Sequence, residues 1–514
     1  MEFLEGITPR EYQEKIFETC SKKNCLVVLP TGLGKTLIAL MLTIDRMKKF
    51  PGKKVLILAP TRPLVEQHLN SFKKSLPDLF GDIQLFTGEV KAEQRKKIWQ
   101  TADIIFSTPQ CIANDLKKKM YDLKEVCLLV EDEAHRCVKN YAYTFVAKNY
   151  LKNSENPRII GLTASPGSDP NKIKEICKNL SVEEVELRTR ESQDVKNYLQ
   201  KLEFNKIEVD FPREFHEVRI MLTKLYEQYL DELRYNGIFY GLQSKIGLIE
   251  LQKKLMNQIS RNFKSRGTYQ AISSCAQAIK ISHAIELLET QTLKSLFKYL
   301  KGLYDQAAKQ QSKGVINLVK KQEFTLSFSI INELIIKQKE HPKLEKLIEI
   351  IKQEIPKKRI IFSQFRETAS IISESLNKIP GIKSKVFIGQ AKKQDSGLSQ
   401  KEQKQIIEDF KENKINTLCA TSIGEEGLDI PEVDSVILYE PVSSAIRAIQ
   451  RRGRTARLNK GELKILITKG TKDQRAYYAS RSREKKMQTS IESIKKELNQ
   501  NGKLTPDFQD KLVK

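Results

Sequence analysis

Asn24-Cys-Leu-Val-Val-Leu-Pro-Thr-Gly-Leu-Gly-Lys-Thr36 is the stretch that decides the fold. Asn24 to Leu29 is a short apolar run suited to a buried strand, and Leu37 to Arg46 has helical spacing. Between them Gly32 and Gly34 let the backbone turn so that successive N–H groups face one anion. The start of the helix adds its dipole, Lys35 can reach the β- and γ-phosphates of a nucleotide, and the Thr36 hydroxyl can ligate Mg2+. Strand, glycine loop and helix in this order form a phosphate-binding unit, with Thr31, Gly32, Gly34, Lys35 and Thr36 as its contacts. Leu29 stands where G-x-x-x-x-G-K-[ST] begins with glycine, and Pro30-Thr-Gly32 supplies the turn instead.

Farther along, Val126 to Val130 is another buried-strand run, closed by Asp132-Glu-Ala-His135. Adjacent carboxylates at the end of a strand can divide the work: Asp132 can hold Mg2+ through its water shell, and Glu133 can orient and deprotonate the attacking water. His135 follows them closely, which points to a coupling role toward a second domain through Gln450. Near the other end of the chain, Gln450-Arg-Arg-Gly-Arg-Thr-Ala-Arg457 sets Arg451, Arg454 and Arg457 three apart, on one face of a helix. Arg454 and Arg457 suit fingers that stabilise charge developing on a γ-phosphoryl group, and Arg451 suits a bridge toward Asp132. Two half-sites so far apart predict a site completed only when two domains close on the nucleotide.

Taken in order, the motifs closely resemble the superfamily 2 helicases of DEAH-box type, and within them the helicase half of the Hef and Fanconi anaemia M family. The residues that carry the resemblance begin with Pro9-Arg-Glu-Tyr-Gln13, the phosphate loop, Ala59-Pro-Thr-Arg-Pro63 and Ser107-Thr-Pro-Gln110. They continue through the D-E-A-H box, Gly161-Leu-Thr-Ala-Ser-Pro-Gly167, Ile360-Ile-Phe-Ser-Gln-Phe-Arg366, Ala420-Thr-Ser-Ile-Gly-Glu-Glu-Gly-Leu-Asp429 and the arginine cluster. Two departures are visible: Glu131 occupies a usually apolar position, and Ala456 a usual glycine.

The resemblance implies further roles. Gln13 reads the adenine with Arg10 nearby, Thr163 and Ser165 couple hydrolysis to domain closure, and Gly427 and Asp429 approach the nucleotide beside Gln450. Nucleic-acid contacts are implied for Thr61, Arg62, Thr87, Gly88 and Thr108, and in the second domain for Ser363, Arg366, Gly389, Gln390 and Thr421. Hydroxyls, glycine amides and arginines grip phosphates without reading bases. ATP and Mg2+ are the implied cofactors.

Composition agrees. A formal charge of +25 suits a polyanionic partner. The eight cysteines contain no C-x-x-C pair and several fall in strand-like runs, so reduced thiols in a cytoplasmic protein are expected. No signal-peptide pattern opens the chain and no apolar run approaches ~18 residues, so no membrane insertion is expected.

Strand-like and helical runs alternate over residues 1–210 and again over 338–473, the pattern of parallel sheets covered by helices. The expected fold class is α/β, with two RecA-like parallel-sheet domains and an inserted all-helical domain between them. That insertion, 211–337, loses strand-like runs. Within residues 216 to 340, 19 Lys and Arg stand against 11 Asp and Glu. In Hef-like proteins an insertion at this place is thought to engage branched DNA, and Lys253, Lys254, Arg261, Lys264 and Arg266 are its candidate phosphate contacts, against the alternative that they form solvated helix faces. Residues 474–514 read as an amphipathic helix packing back on the second domain. Arg483-Glu-Lys-Lys486 resembles a fragment of the XPF-type nuclease signature, but the acidic cluster is absent, so no nuclease is expected in these residues; family members often continue into a nuclease region, so the resemblance leaves open a nuclease partner or a missing nuclease region. The expected activity is that of a monomeric ATP-dependent DNA helicase or translocase on forked or branched DNA, in replication-fork repair and recombination. The alternatives are a duplex-RNA-activated ATPase of the RIG-I and Dicer type, and a non-hydrolysing junction-binding scaffold.

Overall fold

The computed structural model describes residues 7–77, 79–198, 202–235, 244–260, 265–389, 397–421, 431, 433–442 and 461–501. Cys25–Val28 forms the strand β1, buried on both faces as its unbroken apolar run requires. Six more strands join it: β2 (Lys54–Leu58), β3 (Ile83–Phe86), β4 (Ile104–Ser107), β5 (Val126–Asp132), β6 (Ile159–Thr163) and β7 (Glu184–Leu187). They form one parallel sheet in the order β3-β4-β2-β5-β6-β1-β7. Alternate residues feed two cores. Leu26, Val28, Leu56 and Leu58 pack on one face, and Cys25, Val27, Val55 and Ile57 on the other.

The second sheet contains β8 (Leu202–Val209), β9 (Arg359–Phe362), β10 (Ser384–Phe387), β11 (Thr417–Ala420), β12 (Ser435–Leu438) and β13 (Gly461–Thr468). It is also parallel, in the order β10-β11-β9-β12-β13-β8. The fold class expected from the sequence is the one observed, with a helical bundle between the sheets' main bodies. Its long members, Arg213–Tyr235, Lys245–Ser260, Arg266–Thr290, Leu293–Ala308 and Gln322–Ile336, share one apolar core built on Leu222, Leu230, Ile281, Leu296 and Phe324. Among the described residues no helix is long and apolar enough to cross a membrane.

Two expectations are corrected. Residues 202–209, assigned with 1–210 to the first domain, pair with β13 from Leu202–Gly461 to Val209–Thr468 and form an edge of the second sheet. The limit at 210 followed a change of composition, and composition does not say which sheet a strand joins. Nor does the terminal helix, Lys472–Asn501, simply fold back on the second domain. It starts there, where Asp473 and Lys343 form a buried ion pair at 2.7 Å. It then crosses to the first domain, where Met487, Ile491, Ile494 and Leu498 complete the core beside Ile173, Ile176 and Val185.

Candidate ATP site and nucleic-acid face

The phosphate loop joins β1 to the helix Lys35–Lys49. Gly32 (φ 84°) and Gly34 (φ 78°) hold left-handed backbone there, and a Cβ at Gly34 would also strike the Gln13 amide. Gln13 Nε2 and Tyr12 Oη both donate to the Leu33 carbonyl, at 3.1 and 2.9 Å. The Arg10 guanidinium lies 5.3 Å from the centroid of the Tyr198 ring. Gln13 thus stands against the loop, and Arg10 one residue removed from it, donating to the Tyr12 hydroxyl at 3.3 Å. Lys35 Nζ donates to the Leu29 carbonyl at 2.8 Å, spanning the cradle. Thr31 contributes a buried hydroxyl with no hydrogen-bond partner.

β5 delivers the carboxylates. Asp132 Oδ2 is 2.8 Å from His68 Nε2, and His68 Nδ1 is 3.4 Å from the Thr36 hydroxyl. Burial pushes the Asp132 carboxyl up, but His68, Lys35 and the Glu133 N–H outweigh it and hold the carboxyl below its usual range, so it is ionised. Thr36 and Asp132 offer hard oxygen donors joined through one imidazole at the loop's end, a donor set that fits Mg2+. Glu133 follows with φ 53° and ψ 46°, a left-handed conformation costly for a residue with a Cβ. Its Oε2 is buried without a hydrogen bond, although the His135 Nδ1 charge centre approaches to 3.2 Å. His135 Nδ1 also lies 3.2 Å from Thr163 Oγ1, which accepts from the Ser165 N–H at 3.1 Å. The Ser165 hydroxyl in turn donates to Met487 Sδ at 2.9 Å. His135, Thr163 and Ser165 therefore form one chain of contacts that reaches the terminal helix.

The strand order separates this site from a second face. β5, β6 and β1 carry the nucleotide motifs, whereas β2, β3 and β4 end at Thr61, Thr87 with Gly88, and Thr108. Arg62 joins the first two loops by pairing with both Glu66 and Glu89. The buried Arg95 steadies the Thr87 loop, donating to the Thr87 carbonyl at 3.1 Å while Asp115 holds it from behind. In the second sheet β9, β10 and β11 likewise end at Ser363, Gly389 and Thr421, and Arg366 donates to the Gly389 carbonyl at 3.4 Å. Lys404 reaches Glu66 at 3.5 Å across the two domains.

Gln390, Gly427, Asp429, Gln450, Arg451, Arg454 and Arg457 lie outside the described residues. Sequence reasoning missed His68, Arg95 and Tyr198. His68 sits mid-helix after the Ala59–Pro63 motif, one isolated histidine among five in the chain, and only the fold sets it beside Asp132.

Comparison with known proteins is consistent over most of the chain. Residues 10–173 match the DEAD/DEAH box helicase family, 214–341 the helical bundle described for ATP-dependent RNA helicases, and 342–459 the helicase conserved C-terminal domain. The crystal structure of the Pyrococcus furiosus Hef helicase domain superposes with a TM-score of 0.71 at 42% identity, covering 92% of this chain and 98% of that one. A protein of Methanocaldococcus jannaschii that carries an ATP-dependent RNA helicase name is 39% identical over 94% of this chain. The ATP-dependent DNA helicase mph1 of Neurospora crassa is 34% identical over 90% of it. The chain spans 61% of the former's length and 41% of the latter's. With its phosphate loop, its paired carboxylates and both sheets shared with a helicase domain at that level of identity, this chain belongs to the superfamily 2 DEAD/DEAH box helicases, enzymes that act at the expense of ATP, and is of the Hef type.

Proposed function

We propose that the chain is a monomeric ATP-dependent translocase on forked or branched DNA, serving replication-fork repair and recombination with a nuclease region or partner. The observation that supports this reading is the division of the first sheet, matched by one edge of the second. In the first sheet β5, β6 and β1 end in nucleotide motifs and β2, β3 and β4 in hydroxyls and a glycine, and β9, β10 and β11 of the second sheet end in hydroxyls and a glycine beside Arg366. Closing the domains on ATP therefore moves two phosphate grips relative to each other, which is the elementary step of a motor.

At the nucleotide, Gln13 and Arg10 receive the adenine, and the loop from Thr31 to Thr36 cradles the phosphates with its N–H groups. Lys35 moves from the Leu29 carbonyl to the β- and γ-phosphates. Glu133 takes a proton from the attacking water, its Oε2 buried beside His135. Thr36 and Asp132 would hold Mg2+, which would neutralise phosphate charge when bound. Arg454 and Arg457 approach from the second domain to stabilise the γ-phosphoryl group, with Gly427, Asp429 and Gln450 beside them and Arg451 reaching toward Asp132. His135, Thr163 and Ser165 relay closure between the sheets. Thr61, Arg62, Thr87, Gly88 and Thr108 grip one side of a strand, and Ser363, Arg366, Gly389, Gln390 and Thr421 the other.

The test is steady-state ATPase at fixed salt with single-stranded DNA, duplex DNA, a fork, a four-way junction and duplex RNA as activators. Strongest stimulation by fork or junction is the expected result. Preference for duplex RNA would instead favour the RNA-activated reading that the helical-bundle description and the Methanocaldococcus jannaschii name raise. Glu133→Gln is expected to lower turnover by ~10^2-fold or more while nucleotide still binds. Turnover near the wild-type rate would remove Glu133 as the base.

A further inference from the structure

His68 belongs to no motif, yet it is nearly buried between the two groups read here as Mg2+ ligands, in contact with both. Its Nε2 lies 2.8 Å from Asp132 Oδ2 and its Nδ1 3.4 Å from Thr36 Oγ1. A carboxylate only accepts hydrogen bonds, so Nε2 carries the hydrogen in this pair. In a neutral imidazole Nδ1 is then an acceptor, and the partner left to donate is the Thr36 hydroxyl. The chain of donors runs from Thr36 through His68 to Asp132. Once the hydroxyl hydrogen is committed to Nδ1, the Thr36 oxygen keeps its lone pairs. With Oδ2 engaged by Nε2–H, the rotamer of Asp132 is set. The helix Arg62–Ser75 that carries His68 is anchored through Val65 and Phe72 in the core beside β3 and β4, where Phe72 packs against Phe106, so the imidazole is delivered from a rigid element.

We infer that His68 is the positioning residue of the cation end of the ATP site, orienting Thr36 and Asp132 together for Mg2+. This rests on Thr36 and Asp132 being the ligands. Histidines and carboxylates that orient metal ligands from behind commonly change metal affinity by ~10–100-fold.

The measurement is binding of a fluorescent N-methylanthraniloyl-ADP to the full chain, in EDTA and across a Mg2+ titration. For His68→Ala, affinity in EDTA should stay within about twofold of wild type, while the Mg2+ concentration giving half of the tightening should rise ~10–100-fold. His68→Gln should recover most of that shift, because one amide can donate to Asp132 and accept from Thr36. An unchanged Mg2+ midpoint in His68→Ala overturns the proposal. So does equal loss of ADP affinity with and without Mg2+, the signature of a merely structural role. A Gln variant as impaired as the Ala variant, at wild-type melting temperature, overturns it as well. Asp132→Asn separates the two layers. If it keeps the Mg2+ response, the ligand assignment fails and takes this proposal with it. If it loses the response while His68→Ala keeps it, the role of His68 alone is refuted.

Discussion

Glu131 and Asp132 are neighbours on β5 whose side chains leave opposite faces of the sheet. Asp132 turns toward the phosphate loop, where His68 and Lys35 keep it charged. Glu131 turns into the core beside Tyr143, fully buried, and neither of its oxygens has a hydrogen-bond partner. Burial pushes its carboxyl well above the usual range, against a weak opposing pull from the Cys137 thiol. Because its folded-state pKa is raised, its favourable contribution is present below the unfolded value of about 4.5 and is lost as pH rises toward the folded one. At neutral pH the group therefore costs stability. Glu131→Met should raise stability by about 1–3 kcal/mol at pH 7, with the gain shrinking as pH falls through about 4.5, as read by urea denaturation at several pH values. No gain at pH 7 would mean that Glu131 has a partner in solution. The oddity of Glu131 was legible in the sequence as a charged residue in an apolar run. That it is orphaned was not, since burial on that face depends on Tyr143 and on the turn at Ala134–Arg136 arriving from later in the chain.

The terminal helix Lys472–Asn501 is the element whose role changed most. Its spacing of Met487, Ile491, Ile494 and Leu498 was plain from the sequence, so an amphipathic helix was predictable; its partner was not. A hydrophobic stripe specifies that it must be covered, not by which surface. The tie to the second domain is the buried pair Lys343–Asp473, and the cover comes from the first domain, with Lys174–Glu497 at 3.0 Å and Lys495–Glu184 at 3.6 Å at its rim. Ile491→Ala should thus lower the stability of the first domain by about 2–5 kcal/mol, seen as an earlier urea transition of probes near β7. A uniform shift of the second domain with no effect on the first would contradict this placement. β7 and β8 carry no unbroken apolar run in the sequence, because Glu184, Glu186, Glu203 and Glu208 interrupt them. At sheet edges such charges are tolerated and discourage pairing with other chains.

For the whole molecule, a charge of +25 is spread over two sheets and a bundle, and the helix Lys245–Ser260 presents Lys253 and Lys254 to solvent. Arg261, Lys264 and the side chain of Arg266 lie outside the described residues. Replacing all five by alanine should flatten the slope of log affinity against log salt for fork DNA by about 0.9 for each phosphate the protein no longer neutralises. An unchanged slope would leave these lysines as an ordinary solvated helix face. The family, the two sheets and the nucleotide motifs were determined by the sequence alone, because each rests on a local pattern: an apolar run that must be buried, glycines that allow the turn, and reactive groups at the strand ends. Tertiary structure alone decided that β8 joins the second sheet, that the last helix closes the first domain, and that His68 stands between Thr36 and Asp132. Each of these joins segments far apart in the chain, and such pairings are chosen by the packing of whole surfaces, which no local spacing records.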